Sequence, residues 1–329
     1  MNTKYLFLVF ILWFVVAACD NEDALYPTEP ENGVTFKFPE GSDTWDRDLE
    51  EIAARFGTKC IYKNLEEADY FRTWTASASG ATNFIVSKLP DACLIKLYTQ
   101  FFKDHIFRFL SPECTKGVLP NYIFFAYDFC SVSKRALSPG DTLVYHSYNS
   151  TKMKFDGMGF WSFCYETEEH LTIMGQPWKG TIAAGDVKFV QEERDILLRN
   201  IFRRMVDAGT IVPPVEFEAG GELDYVTPIT YGDVQNENYY MKRGFPKRLT
   251  NLKSYGNFGD LWSIANTGRI ETFVDYLNLA LRLPKIQVYA DYADYPLIIK
   301  FYDLTVKYMR EKYDMDIAAI AEMAEPLTE

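Results

Sequence analysis

The stretch Gln191–Gly209, QEERDILLRNIFRRMVDAG, leaves this chain few alternatives. At about 100° per residue, Leu197, Leu198, Ile201, Phe202, Met205 and Val206 fall on one half of a helical wheel. Arg199, Asn200, Arg203, Arg204 and Asp207 fall on the other half. Glu192 and Glu193 come first, the arginines come late, and Gly209 stands where a C-terminal cap belongs, so both ends agree with the helix dipole. Burying the six apolar side chains contributes on the order of 10 kcal/mol before conformational entropy is subtracted. The segment is therefore a core helix, and a fold must be built around it.

The rest of the chain can supply that core. Of 329 residues 48% are apolar and 16% aromatic, which suits one globular domain with ample interior. The net charge of −12 argues against non-specific nucleic-acid binding, because neutralising phosphates needs a basic face. No glycine-rich phosphate loop, GxSxG elbow or internal repeat occurs.

The first eighteen residues read as a secretory signal. Lys4 gives a positive start, Tyr5–Val16 is apolar but too short to span a bilayer comfortably, and Val16-Ala17-Ala18-Cys19 closes it. The VAAC pattern resembles a bacterial lipobox, which implies cleavage before Cys19 and acylation of that residue, with acyl chains anchoring the protein to a membrane. Removing the signal takes Lys4 and no acid, leaving −13. Residues 19–33 are a polar tether, and its Asp20-Asn21-Glu22-Asp23 is similar to the export signal of surface-exposed Bacteroidetes lipoproteins. The domain occupies 34–329. Its five cysteines contain no CxxC and read mainly as small core residues, with an odd count that leaves at least one thiol unpaired.

Along the domain, Asp43 or Thr44 caps a helix carrying Trp45, Leu49, Ile52 and Phe56, which Gly57 stops. Lys59–Lys63 reads as a strand, Thr75–Thr82 as a loop, and Pro90 to about Leu110 as one long helix. Tyr122–Phe129, apolar on both faces, reads as a central strand, with Thr142–Tyr148 and Phe160–Tyr165 as companions in one sheet. Gly220–Asn238 is a long acidic connection. Helices follow at Ile270–Leu283, at Leu297–Tyr313 with a stripe of Ile298, Phe301, Leu304 and Tyr308, and at Asp316–Ala324. The pattern is α+β, with a mixed sheet and a helical C-terminal part.

In order and spacing these segments resemble a family of Bacteroidetes lipoproteins described as zinc-binding metallopeptidases, or substrate-import-associated zinc metallohydrolases. The segments that carry the resemblance are WDRDLEEIAARFGTKCIYKN, LPNYIFF, RGF at Arg243–Phe245, IETFVDYLN at Ile270–Asn278 and IIKFYDLTVKYMREKYDMDI at Ile298–Ile317. The resemblance implies a zincin-like fold, zinc as cofactor, and a place beside outer-membrane nutrient-uptake systems. The family signature is a helix bearing HExxH, whose two His at i and i+4 bind zinc while the Glu serves as general base. An acidic segment resembling EDFAE lies downstream.

This chain departs from that signature. Aligning the hydrophobic pattern puts Asn200 and Arg204 at the His positions and Ile201 at the Glu position, while Glu271 and Asp275 remain from the acidic segment. Asn is a poor zinc ligand, Arg stays protonated, and Ile cannot accept a proton. His105, His146 and His170 are scattered and read as surface or partly buried polar residues. The acidic runs Glu166–His170 and Asp233–Asn238 lack the spacing of a calcium loop. No catalytic residue and no metal ligand is therefore assigned. The leading expectation is a degenerate, non-catalytic relative in the outer membrane, exposed at the cell surface, binding peptide, glycan or an uptake component. An active hydrolase with non-standard ligands, or a structural envelope lipoprotein, are the alternatives.

Overall fold

A computed structural model describes residues 36–71, 83–136, 144–150, 153–155, 157, 159–165, 169–171, 177–179, 186–249, 258–259 and 268–327. Cys19, the signal, the tether and the Thr75–Thr82 loop lie outside the described residues. The chain divides into two compact units, Met1–Lys37 and Phe38–Glu329, and all secondary structure among the described residues belongs to the second.

Helix α1 (Thr44–Phe56) begins at a capping box, in which the Asp43 side chain takes the amide of Asp46 and the Asp46 carboxylate takes that of Asp43 at 2.8 Å. It ends at Gly57, whose φ of 72° suits a residue without a side chain. Strand β1 (Lys59–Ile61) is shorter than expected because the amides of Tyr62 and Lys63 leave the ladder for the Glu40 carboxylate. Strand β2 (Asn83–Lys88) precedes helix α2 (Ala92–Gln100), capped by Asp91 through the amide of Leu94 at 2.9 Å. The long helix predicted to Leu110 is not uniform. It widens to a π-helix over Phe101–Ile106 and tightens to a 3-10 turn over Phe107–Phe109. A short helix α3 (Pro112–Thr115) leads into β3 (Tyr122–Ala136), followed by β4 (Val144–Ser150), β5 (Met153–Lys154), β6 (Phe160–Cys164), β7 (Glu169–Leu171) and β8 (Pro177–Lys179).

Strand β3 is the axis of a six-stranded mixed sheet. Its first half lies parallel to β1 on one side and β6 on the other, and β5 pairs antiparallel with β6. Its second half pairs antiparallel with β2 and β4. Between the halves sits Asp128, a non-glycine residue at φ 53°, with its carboxylate buried and 3.2 Å from Lys88. The expected central strand is thus central, and β4 and β6 join the same sheet.

Helix α4 (Val187–Asp207) starts four residues earlier than predicted, at the Asp186 cap. After strands β9 (Arg248–Leu249) and β10 (Phe258–Gly259) come α5 (Arg269–Arg282), α6 (Lys285–Asp291), α7 (Pro296–Tyr313) and α8 (Ile317–Glu322). The fold is α+β with a mixed sheet and a helical C-terminal part. All six apolar residues of the α4 wheel are buried, and so are the charged side chains of Glu193, Arg194, Asp195 and Arg199. On α7 the buried stripe is Ile298, Phe301, Tyr302, Thr305 and Met309, while Leu304 and Tyr308 are only half-buried. Tyr308 is drawn aside by the bond from its hydroxyl to the Val212 carbonyl at 2.9 Å. Among the described residues no helix is long and apolar enough to cross a membrane.

His105, expected at or near the surface, is buried in the π-helical segment with its ring stacked on Phe101. Its Nδ1 meets no hydrogen-bond partner among the described residues. Burial, with Arg194 and Arg108 nearby, pulls its pKa down to about 4. The unfolded chain protonates this group near pH 6.5. Its contribution to stability is therefore complete above pH 6.5 and lost as pH falls toward 4. Urea unfolding of wild type and His105→Leu at pH 7.5 and pH 4 tests this. Wild type should lose on the order of 3 kcal/mol more than the variant across that interval.

Candidate functional site

The residues singled out by the sequence lie on α4 and α5, which pack against each other. They do not converge on one point. Asn200 turns its amide back onto its own helix, donating to the Ile196 carbonyl at 2.8 Å. Ile201 is buried in the hydrophobic core. Arg204 leaves α4 toward the end of the sheet, where Nη2 donates to the Phe155 carbonyl at 2.8 Å, just beyond β5. Its guanidinium lies 5.0 Å from the ring centre of Trp161 on β6, and Phe155 and Trp161 meet edge to face.

The two carboxylates are taken by other arginines. Glu271 accepts from Arg203 Nη1 at 2.8 Å, while Asp207 holds Arg203 through Nε at 3.0 Å. Asp275 accepts from Arg248 Nε, and the pair also meets through Nη2 at 2.9 Å. These two ion pairs differ in their setting. Arg203 and Glu271 are partly open to solvent, whereas the Asp275 side chain is only 6% exposed. Burial pushes the Asp275 carboxyl up to about 7 against the pull of Arg248. Burial likewise raises Asp195, within α4, in spite of Arg199 at 3.3 Å.

A zinc ion does not fit this arrangement. Asn200, Ile201 and Arg204 supply no anionic or imidazole donor, and Glu271 and Asp275 are each already bound to a guanidinium. Among the described residues no three His, Cys, Asp or Glu side chains come together as a metal-binding group. The side chains of His146 and His170 and the acidic run Glu166–Glu168 lie outside what is described. The Asp233–Asn238 patch is an ordinary connection, with Asp233 and Asn236 capping nearby amides at 2.9 and 2.8 Å. Cys60, Cys114, Cys130 and Cys164 are buried and Cys93 is exposed.

Sequence reasoning missed Arg203 and Arg248 as partners of the two carboxylates, and Trp161 and Phe155 as the seat of Arg204. Arg248 carries no local signal, since its partner is 27 residues away on another element. The Arg203 pair spans 68 residues. A further cleft of about 230 Å³ opens between α1 and the π-helical segment, but Lys103–Asp48 at 2.6 Å and Arg55–Glu51 at 3.8 Å satisfy much of its charge internally.

No family model matches the sequence, and no curated protein does. Among solved structures the chain is similar to a candidate zinc-binding metallo-peptidase from Bacteroides caccae, at 12% identity and a TM-score of 0.43, over 84% of this chain and 88% of that one.

The two ion pairs predict different responses to truncation. Glu271→Ala should cost less than about 1 kcal/mol, because the pair is partly solvated. Arg248→Ala leaves Asp275 buried without its cation, raising its pKa further. A carboxyl whose folded pKa exceeds its unfolded one loses stability as pH rises through that interval. The stability gap between wild type and Arg248→Ala should therefore widen from pH 6 to pH 8 in urea titrations, and the gap for Glu271→Ala should not.

Proposed function

We propose that this chain is a lipid-anchored protein of the outer membrane, facing the cell surface, that binds a ligand instead of cleaving one. It is a catalytically degenerate relative of the zinc metallohydrolase lipoproteins, serving an accessory role beside a nutrient-uptake complex, with peptide or glycan as its ligand. The observation that carries the reading is the filling of the motif positions. Ile201 is sealed in the core, Arg204 is seated on Trp161, and both retained carboxylates are held by arginines. A guanidinium cannot surrender its proton to become a ligand, and Ile has no proton-accepting atom to serve as the base. The address rests on Lys4, the apolar run and the Val16–Cys19 pattern, together with the order of the family-like segments.

Metal content tests the loss of chemistry directly. The mature chain from Cys19, purified without chelator, should carry well under one equivalent of zinc by mass spectrometry. Added zinc should leave its melting temperature unchanged, since a metal that binds only the folded state would raise it. One equivalent of tightly held zinc would overturn the reading.

A further inference from the structure

We propose that Arg204 is the anchor for a carboxylate group on the ligand, so that the face of α4 that would carry zinc recognises an anion instead. The inference rests on the reading of that face as a binding site, and it comes from a contrast among the arginines. Arg203 is matched by Glu271 and Asp207, Arg248 by Asp275, Arg243 by Asp224, Arg269 by Glu218, and Arg199 by Asp195. Arg204 has no carboxylate among the described residues. Its contacts are a neutral carbonyl and an aromatic face. The nearest acid along the helix, Asp207, is committed to Arg203 at 2.9 Å.

The setting is built for recognition in two respects. Arg204 is half-buried, so its charge has given up part of its water, and the attraction of Asp207 does not make that up. The bond to Phe155 and the Trp161 ring also fix the guanidinium in orientation before any ligand arrives, which lowers the entropy lost on binding. One nitrogen is used on the carbonyl, and the other two keep N–H donors with no acceptor among the described residues. Neither of them is a buried atom without a partner. N–H donors on a guanidinium give a carboxylate charge-assisted bonds, which are about twice as strong as neutral ones.

A carboxylate of this kind can come from a peptide C-terminus or from an acidic sugar, and one titration series separates the sources. N-acetyl-trialanine is compared with its C-terminal amide, and N-acetylneuraminic acid with its methyl ester, by calorimetry on the mature chain. At least one free acid should bind saturably, with its neutral derivative weaker by about tenfold or more. Arg204→Gln should lose a similar factor. Arg204→Lys, which keeps the charge but not the fork, should fall between. Far-ultraviolet dichroism and thermal unfolding check that both variants fold. If Arg204→Gln does not, the acid-against-derivative comparison on wild type and Arg204→Lys still decides. Equal binding of acid and neutral derivative, undiminished binding by Arg204→Gln, or saturation by neither acid would overturn the proposal. Stoichiometric zinc in the same preparation would sink the degenerate-scaffold reading itself. A metal-free protein indifferent to both acids would sink only the role of Arg204.

Discussion

Charge kept inside the protein on helix α4 sets the terms for everything packed around it. Arg199 is fully buried, its Nε bonded to the Asp195 carbonyl at 3.1 Å and 3.3 Å from the Asp195 carboxylate one turn back. Arg194, also buried, donates to the Met323 carbonyl at 3.1 Å, and Gln191 reaches the same oxygen. A buried charge without partners costs several kcal/mol. The segment after α8 therefore helps hold the helix in place, because its Met323 carbonyl takes the buried Arg194. This ties residues 129 and 132 positions apart to one another.

The same helix carries one side of the ion pairs that join it to α5. Arg203 and Arg248 hold the two acids of α5, at 2.8 and 2.9 Å from Glu271 and Asp275. Guanidinium is charged at all physiological pH and cannot be chelated away. On the proposed reading, what was lost as chemistry was retained as architecture, and Arg204 was left over with donors to spare.

Strand β3 solves a separate problem. One strand of 15 residues runs parallel to its neighbours in its first half and antiparallel in its second. The changeover falls at Asp128, whose positive φ would be costly for a β-branched residue and is tolerated by Asp, with Lys88 compensating its buried charge. Tyr98, on α2, bonds the Ala126 carbonyl at 2.7 Å just before this point and accepts the Tyr165 amide at 2.8 Å, joining β3 to the end of β6.

Most of the local structure was legible in the sequence, because caps and periodicity act over three or four residues. Asp43 and Gly57 bound α1 as read, Pro296 opens α7, and the apolar run at Tyr122–Phe129 is central. The misses have longer reach. The early end of β1 at the Glu40 carboxylate and the burial of His105 depend on residues brought in from elsewhere in the chain, and nothing local announces the π-helical widening at Phe101–Ile106. For the site, the sequence by itself determined that Asn200, Ile201 and Arg204 cannot form a zinc centre, because donor chemistry belongs to a side chain wherever it is placed. Only the tertiary structure decided which charge meets which. Arg248 finds Asp275, Arg203 finds Glu271 and Arg204 finds Trp161 because Coulomb and hydrogen-bond energies depend on distance, and those distances are set by how α4, α5 and the sheet pack.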